Sequence, residues 1–207
     1  MVLATSSPFW EREATGLKSF RSVILDGLPR TGLPNKFANY NDYLRTVEVL
    51  TAAGVMEDAS KIWWDLRPSS KFPTIELRAL DVCTDVDDAI AIAATFTSLC
   101  RMLYRMRARN LSWRSYPAFL INENRWRAQR YGVDGSLFDF GKNALVPYSD
   151  LIEEILELIG EDAEALGCRD EVERARRIVA DGTSADRQVR AYKTRRAEGG
   201  DHRASLE

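Results

Sequence analysis

Apolar and polar positions alternate twice in quick succession, in KIWWDLRP (61–68) and PTIELRALD (73–81). A period of two is the signature of a strand. Pro68 and Pro73 bracket the connecting SSKF, and the pattern predicts an antiparallel hairpin. Within TIELRALD (74–81), Glu76 and Arg78 share one face, and Ile75, Leu77 and Ala79 share the other. If Asp65 lies opposite Glu76, then Arg67 falls opposite Thr74 and Trp63 opposite Arg78. Asp65, Arg67, Glu76 and Arg78 then all project from one face.

Elsewhere the apolar spacing is helical. NDYLRTVEVLTAA (41–53) places Tyr43, Val47 and Leu50 on one side and runs into Gly54, a plausible C-terminal stop. DVDDAIAIAATFTSLCRMLYRMRAR (85–109) opens with Asp85, Asp87 and Asp88 and closes with arginines, which suits the helix dipole at both ends. Its expected buried stripe is Val86, Ala89, Ile90, Ala93, Phe96, Cys100 and Leu103. Further helices are predicted at 117–130, 149–159, 170–180 and 183–197. Residues 5–39 read as a long loop with a short helical or extended piece near 18–26. Its Phe9, Trp10, Phe20, Ile24 and Leu28 argue against disorder. The polar tail from about 194 is expected to fray.

Composition fits a soluble globular protein with a core: 45% apolar and 29% charged residues. The net charge of −2 gives no argument for nucleic acid or an acidic membrane, but its distribution is uneven. Residues 101–131 carry eight Arg against one acid, Glu123, while 149–187 carry twelve acids against five Arg. Two electrostatically different surfaces are expected. Cys83, Cys100 and Cys168 lack metal spacing and fit a reducing compartment. No signal peptide is visible, and the near-apolar run 89–100 is too short for a bilayer. A cytoplasmic location is expected.

The chemistry the sequence can support is narrow. There is no P-loop pattern and no dinucleotide fingerprint, and the single histidine, His202, lies in the polar tail. Carboxylates, arginines and metal remain. Charges alternating on one strand face commonly form a solvated salt-bridge lattice. Against that, Arg67 and Arg78 have the fork geometry that suits phosphate oxygens. Glu76 sits between apolar neighbours, where a carboxylate needs a partner or a hard cation such as Mg²⁺. In NENRWRAQRYG (122–132), Arg127 and Arg130 share a helix face, with Asn124 three residues before Arg127. This is either a solvated arginine face or an anion site. Eight arginines interleaved with Tyr104, Trp113, Tyr116, Phe119, Trp126 and Tyr131 leave single-stranded nucleic acid as a further reading, without any RNA-binding motif to support it. GTSADRQ (182–188) is a good helix start, capped by Thr183 or Ser184, whose N–H groups could also hold an anion.

Five stretches, TIELRALDVCTDVDDA, SSPFWEREATGLKSFR, IWWDLRPS, ENRWRAQRYGVDG and GTSADRQ, resemble in sequence, order and spacing the carboxylate–amine ligase family, the type 2 glutamate–cysteine ligases. The resemblance covers essentially the whole chain. It implies an α+β, glutamine-synthetase-like fold, an antiparallel sheet cupped around ATP and divalent metal. The chain corresponds to the C-terminal portion of one such catalytic domain, truncated, with loop, helix and hairpin in 1–84 and a mainly helical part in 85–207. The implied reaction joins an amine such as cysteine to the γ-carboxylate of glutamate through an acyl phosphate, with release of ADP and phosphate. Glu76 matches a Mg²⁺-liganding glutamate. Arg78 matches an arginine that contacts the transferring phosphate, and Arg21 a substrate or phosphate contact. Arg67, Arg78, Asn124, Arg127 and Arg130 are the implied ATP contacts. Ser6 stands where the family usually has Asn. By the resemblance, an N-terminal half with a Gly-x-Glu-x-Glu strand and further metal ligands is expected beyond this sequence, and that half or a second copy of the chain is the implied partner. Neither membrane nor nucleic acid is an expected partner. The alternative is a non-catalytic remnant or subunit that binds nucleotide or a partner chain.

Overall fold

A computed structural model describes residues 1–199, so His202 lies outside the described residues. In chain order the elements are β1 (Phe9–Trp10), β2 (Glu13–Ala14), α1 (Phe20–Asp26), β3 (Thr31–Gly32), α2 (Tyr40–Ala52), β4 (Trp63–Trp64), β5 (Leu66–Pro68), β6 (Ile75–Leu77), α3 (Val86–Ala108), α4 (Ala118–Tyr131), β7 (Ser136–Asp139), β8 (Ala144–Pro147), α5 (Tyr148–Leu166), α6 (Arg169–Glu173), α7 (Ala175–Asp181) and α8 (Ser184–Ala197). The chain is α+β. Among the described residues the strands form two-stranded pairs, antiparallel except for β3 with β4. No helix among them is long and apolar enough to cross a membrane. Two compact units divide the chain, residues 21–80 and residues 1–20 with 81–207.

In the 21–80 unit, α2 starts at Asn39, whose side chain accepts from the Asp42 N–H at 3.1 Å. It ends as its sequence predicts. Gly54 has φ of 71°, and the Val55 N–H reaches back to the Leu50 carbonyl at 3.0 Å, a closure that glycine makes without strain. Tyr43, Met56 and Ile62 form the core of this unit, with Phe37, Val47, Leu50, Ala59 and Trp64 packed around them.

The β5–β6 hairpin forms with a register displaced by two residues from the expected one. Arg67, not Asp65, lies opposite Glu76, with Leu66 opposite Leu77 and Pro68 opposite Ile75. A shift of two keeps Arg67 and Glu76 together on one face and Leu66 and Leu77 on the other. The turn sets it: the Ser69 N–H donates to Thr74 at 2.9 Å, and Ser69 Oγ accepts from the Lys71 and Phe72 N–H groups. Upstream, β4 leaves the hairpin to pair with β3, so Trp63 never faces Arg78. Ile75 and Leu66, on the apolar face, stay exposed.

In the other unit, α3 packs on α5, α6 and α7. Asp85 caps it, accepting from the Asp87 N–H at 2.9 Å. The buried face is Asp88, Ala91, Ile92, Thr95, Ser98 and Met102. The expected stripe is turned outward instead: Val86, Ile90 and Leu103 are exposed, and Phe96 and Cys100 half-buried. The central run of this helix, 89–100, is apolar nearly all round, so its period cannot choose a face. Its ion pairs choose. Asp88 meets Arg174 and Arg187, and Arg101 and Arg105 meet Asp162. Small Ala91, Thr95 and Ser98 let the covered side approach its neighbours closely.

Helix α5 runs past the expected end at 159 to Gly167, where φ is 67°. Ile152, Leu156, Ile159 and Ala163 are buried along it, and so are Val172, Ala175 and Ile178 of α6 and α7, the helices packed against it. The single helix expected over 170–180 is two, joined at Arg174. The β7–β8 hairpin, unexpected from the sequence, turns at Asp139, whose Oδ1 accepts from the Gly141 and Lys142 N–H groups.

Candidate functional site

The 21–80 unit gathers Arg21, Arg67, Glu76 and Arg78. Arg67 is 6% exposed. Its Nε and Nη2 donate to Glu76 Oε2 at 3.0 and 2.8 Å. Its Nη1 donates to the carbonyls of Ala59 at 3.1 Å, Ser60 at 2.7 Å and Ile62. Those carbonyls belong to a 3-10 turn at Ala59–Lys61 and its exit, a natural cluster of partial negative charge. Arg67, expected as a nucleotide contact, is thus turned inward onto protein oxygens.

Arg78 Nη1 reaches the same Glu76 oxygen only at 3.4 Å, and its side chain is 36% exposed. The Arg67 guanidinium holds the Glu76 carboxyl below the usual carboxylate range, against a desolvation that works the other way. The Arg21 Nη2 donates to the Arg78 carbonyl at 3.4 Å, which brings a second arginine to the strand. The Asp65 carbonyl accepts from the Arg78 and Ala79 N–H groups at 2.7 and 3.1 Å and extends the pairing beyond β6.

Could this face hold a divalent cation? Hard cations take several oxygens. Among the described residues, no group of three or more His, Cys, Asp or Glu side chains is gathered that could hold one. Glu76 fits as one oxygen donor, not as a whole site.

In the other unit, Asn124 and Arg127 share one side of α4, as their spacing predicts, and both engage β7. The Asn124 amide is bonded both ways to Phe138, donating to its carbonyl at 2.8 Å and accepting from its N–H at 2.7 Å. Arg127 Nε donates to the Ser136 carbonyl at 2.6 Å, and its guanidinium lies 5.4 Å from the Tyr131 ring centre. Arg130 is exposed beside the same ring and borders Gly16, where an added Cβ would come 3.3 Å from its Nη1. Of the three, Arg130 is the one turned to solvent.

A further knot went unnoticed in the sequence. Asp81, the last residue of TIELRALD, is buried and accepts from the Ser6 N–H at 2.8 Å, Ser7 Oγ at 2.8 Å and Ser19 Oγ at 2.9 Å. It closes the 6–19 loop. Its only signal was an acid at the end of an apolar run. Nearby, the start of α8 is filled by protein groups. Asp186 Oδ2 accepts from the Thr183 N–H and Oγ1, each at 2.8 Å, and the Ala185 N–H donates to the Thr5 carbonyl at 3.0 Å. Lys18 bonds to Asp186 and, at 2.9 Å, to Asp134. Burial works against ionisation of Asp186, yet Lys18 and Thr183 together hold its carboxyl below the ordinary range. Gly182 precedes this cap with φ of 85°, and a Cβ there would meet the Asp186 Cβ at 2.7 Å. Any other residue there would be both strained and crowded.

The expected contrast between a basic and an acidic surface is partly internal. Asp162 of α5, fully buried, takes Arg105 Nη2 at 2.7 Å and also Arg101. The Arg105 hydrogen bond above all keeps its carboxyl low, with desolvation opposing. Basic and acidic stretches meet because α3 and α5 pack together.

These features define an α+β chain whose charged hairpin face is built from arginines around one carboxylate. Comparison with known proteins supplies the class. The model of glutamate–cysteine ligase family 2 matches residues 1–207, and the chain belongs to that family. It is 56% identical over 199 residues to a protein of Rhodospirillum rubrum (96% of this chain, 51% of the relative). It is 52% identical over 206 residues to one of Jannaschia sp. strain CCS1 (100% and 54%), and 51% identical over 201 residues to one of Ruegeria pomeroyi (97% and 52%). All three bear the name "Putative glutamate--cysteine ligase 2". The chain spans about half the length of these relatives.

Proposed function

We propose that this chain is the phosphate-facing portion of an ATP-dependent carboxylate–amine ligase of the glutamate–cysteine ligase type. The observation that carries the reading is the hairpin face: a part-exposed Arg78 guanidinium beside a Glu76 whose charge is held in place. In this reading the γ-carboxylate of glutamate attacks the terminal phosphorus of ATP. ADP leaves, and the amine of a second substrate such as cysteine then displaces phosphate from the acyl phosphate to form the amide. Arg78, with Arg21 beside its strand, neutralises charge on the transferring phosphoryl group, and the arginine fork suits its oxygens. Glu76 contributes one oxygen to a Mg²⁺ site. Arg127 and Arg130 are proposed substrate or phosphate contacts, Arg130 the more open of them. The remaining metal ligands come in this proposal from additional chain of the kind its relatives carry. The exposed apolar side of α3 is where such chain would pack.

The test is release of ADP with glutamate and a panel of amines, the chain being assayed at the length its relatives have. Turnover that depends on both substrates supports the reading. Turnover left intact by Glu76→Gln overturns the role of Glu76.

A second reading is a non-catalytic subunit that binds nucleotide or a partner chain. Gene sequence encoding the complementary half, fused or separate, argues for the ligase, and its absence for this alternative.

A further inference from the structure

Two arginines flank Glu76, and they are not equivalent. Arg67 places two N–H groups on Oε2 at 2.8 and 3.0 Å, whereas Arg78 reaches that oxygen with one at 3.4 Å. Arg67 cannot follow a ligand outward, because its Nη1 is tied to the carbonyls of Ala59, Ser60 and Ile62 and the residue is buried. Arg78 has no such anchor on its guanidinium and is part-exposed. The one oxygen that both guanidiniums reach is held by the nearer, which places two N–H groups on it. Released from Arg67, Glu76 would close on Arg78 and act as an internal counterion where an external anion would otherwise sit.

We infer that Arg67 is a positioning residue that withdraws Glu76 from Arg78 and so leaves the Arg78 guanidinium open to a phosphate anion. The inference rests on the proposed reading of Arg78 as a phosphate contact. It moves Arg67 from the set of ligand contacts to the support behind them. It also gives the turn at Ala59–Lys61 a share in setting the charge of the site.

The experiment titrates the full chain with metal-free tripolyphosphate, which keeps any role of Glu76 toward a cation out of the readout. Arg78→Met is expected to abolish the binding. Arg67→Met is expected to weaken it about tenfold, although Arg67 touches no ligand. The deciding variant is the double, Arg67→Met with Glu76→Gln. Removal of the competing carboxylate restores affinity to within about twofold of the unaltered chain. A merely structural Arg67 would show no such recovery, and that result overturns the inference while leaving the role of Arg78 standing. Binding that is absent in the unaltered chain, or indifferent to Arg78→Met, overturns the underlying reading. If Arg67→Met fails to fold, Arg67→Lys serves. It keeps a charge but cannot grip one oxygen twice and three carbonyls at once, so the same loss and recovery are expected in smaller measure. A ligand-free readout runs beside these. The Arg67 Nε–H resonance exchanges slowly and moves on Glu76→Gln; an unmoved resonance means the pair does not exist and overturns the inference by itself.

Discussion

Glu76 stands directly opposite Arg67 across the β5–β6 hairpin, and both Nε and Nη2 of Arg67 close on one of its oxygens. Alternation along two short strands sets which face a side chain takes but not which residue it meets. Here the Ser69 turn and an ion pair with two N–H groups on one oxygen, anchored to three carbonyls, together supply the missing specification. The consequences for activity and stability are separable.

For the proposed activity, Arg78→Met in the chain at the length of its relatives is expected to lower ADP release by about 100-fold or more, the scale of losing one preorganised donor to developing charge. The loss should fall on kcat rather than on the KM for the amine, since Arg78 is proposed to meet the phosphoryl group. Initial-rate kinetics at saturating ATP check this.

For stability, Asp162 is the sensitive point of the α3–α5 interface. Asp162→Ala leaves Arg101 and Arg105 facing each other without their shared carboxylate. A loss of about 2–4 kcal/mol is expected, below the largest values for buried pairs because both arginines are partly solvated. The urea midpoint reads it. Arg101→Met should cost less, since Arg105 keeps its own bonds to Asp162.

Acid should destabilise the chain through the same carboxylates. The Asp162 and Asp186 carboxyls titrate lower in the folded protein than unfolded. Their contribution is complete above the unfolded carboxylate value, near about 4, and is lost as pH falls through the folded values. Lys18 is opposite in sense. Burial lowers its pKa, but Asp186 and Asp134 raise it above the ordinary value, so its contribution persists through neutral pH and fades only in strong alkali. Melting temperatures between pH 7 and pH 3 should fall, and Asp186→Asn should flatten the fall.

Asn124→Ala removes both bonds between α4 and the Phe138 backbone. About 1–3 kcal/mol is expected, because a backbone donor and acceptor are left to find water. Thermal unfolding measures it, with Asn124→Asp as the partial loss that keeps only the accepting half.

The outward side of α3 predicts self-association. Val86, Ile90, Leu103 and Tyr104 are exposed along one helix, Ile90 at 48%. Sedimentation at rising concentration should show species larger than a monomer, and Ile90→Glu should shift the distribution back. A monodisperse monomer throughout would refute this.

Much of the fold was legible in the sequence. Asp85 and the terminal arginines bounded α3, and Gly54 marked the end of α2, because caps and dipole partners are local chemistry. The strand pair was legible from its period, and so was the shared face of Glu76 and Arg78. The family motifs singled out the same pair, and with it Arg67, Asn124 and Arg127, though not what those three side chains hold. The β7–β8 hairpin was missed, since SLFD and ALVP are short and alternate weakly.

Local spacing, by itself, determined where elements begin and end and which side chains share a face. Only tertiary structure decided which face is covered and which charges are spent. The outward turn of the α3 stripe depends on Asp162, Arg174 and Arg187, all distant in sequence. The inward turn of Arg67 depends on three carbonyls whose orientation no residue type encodes. Periodicity is a property of one segment, whereas burial and charge pairing are properties of the contact between two.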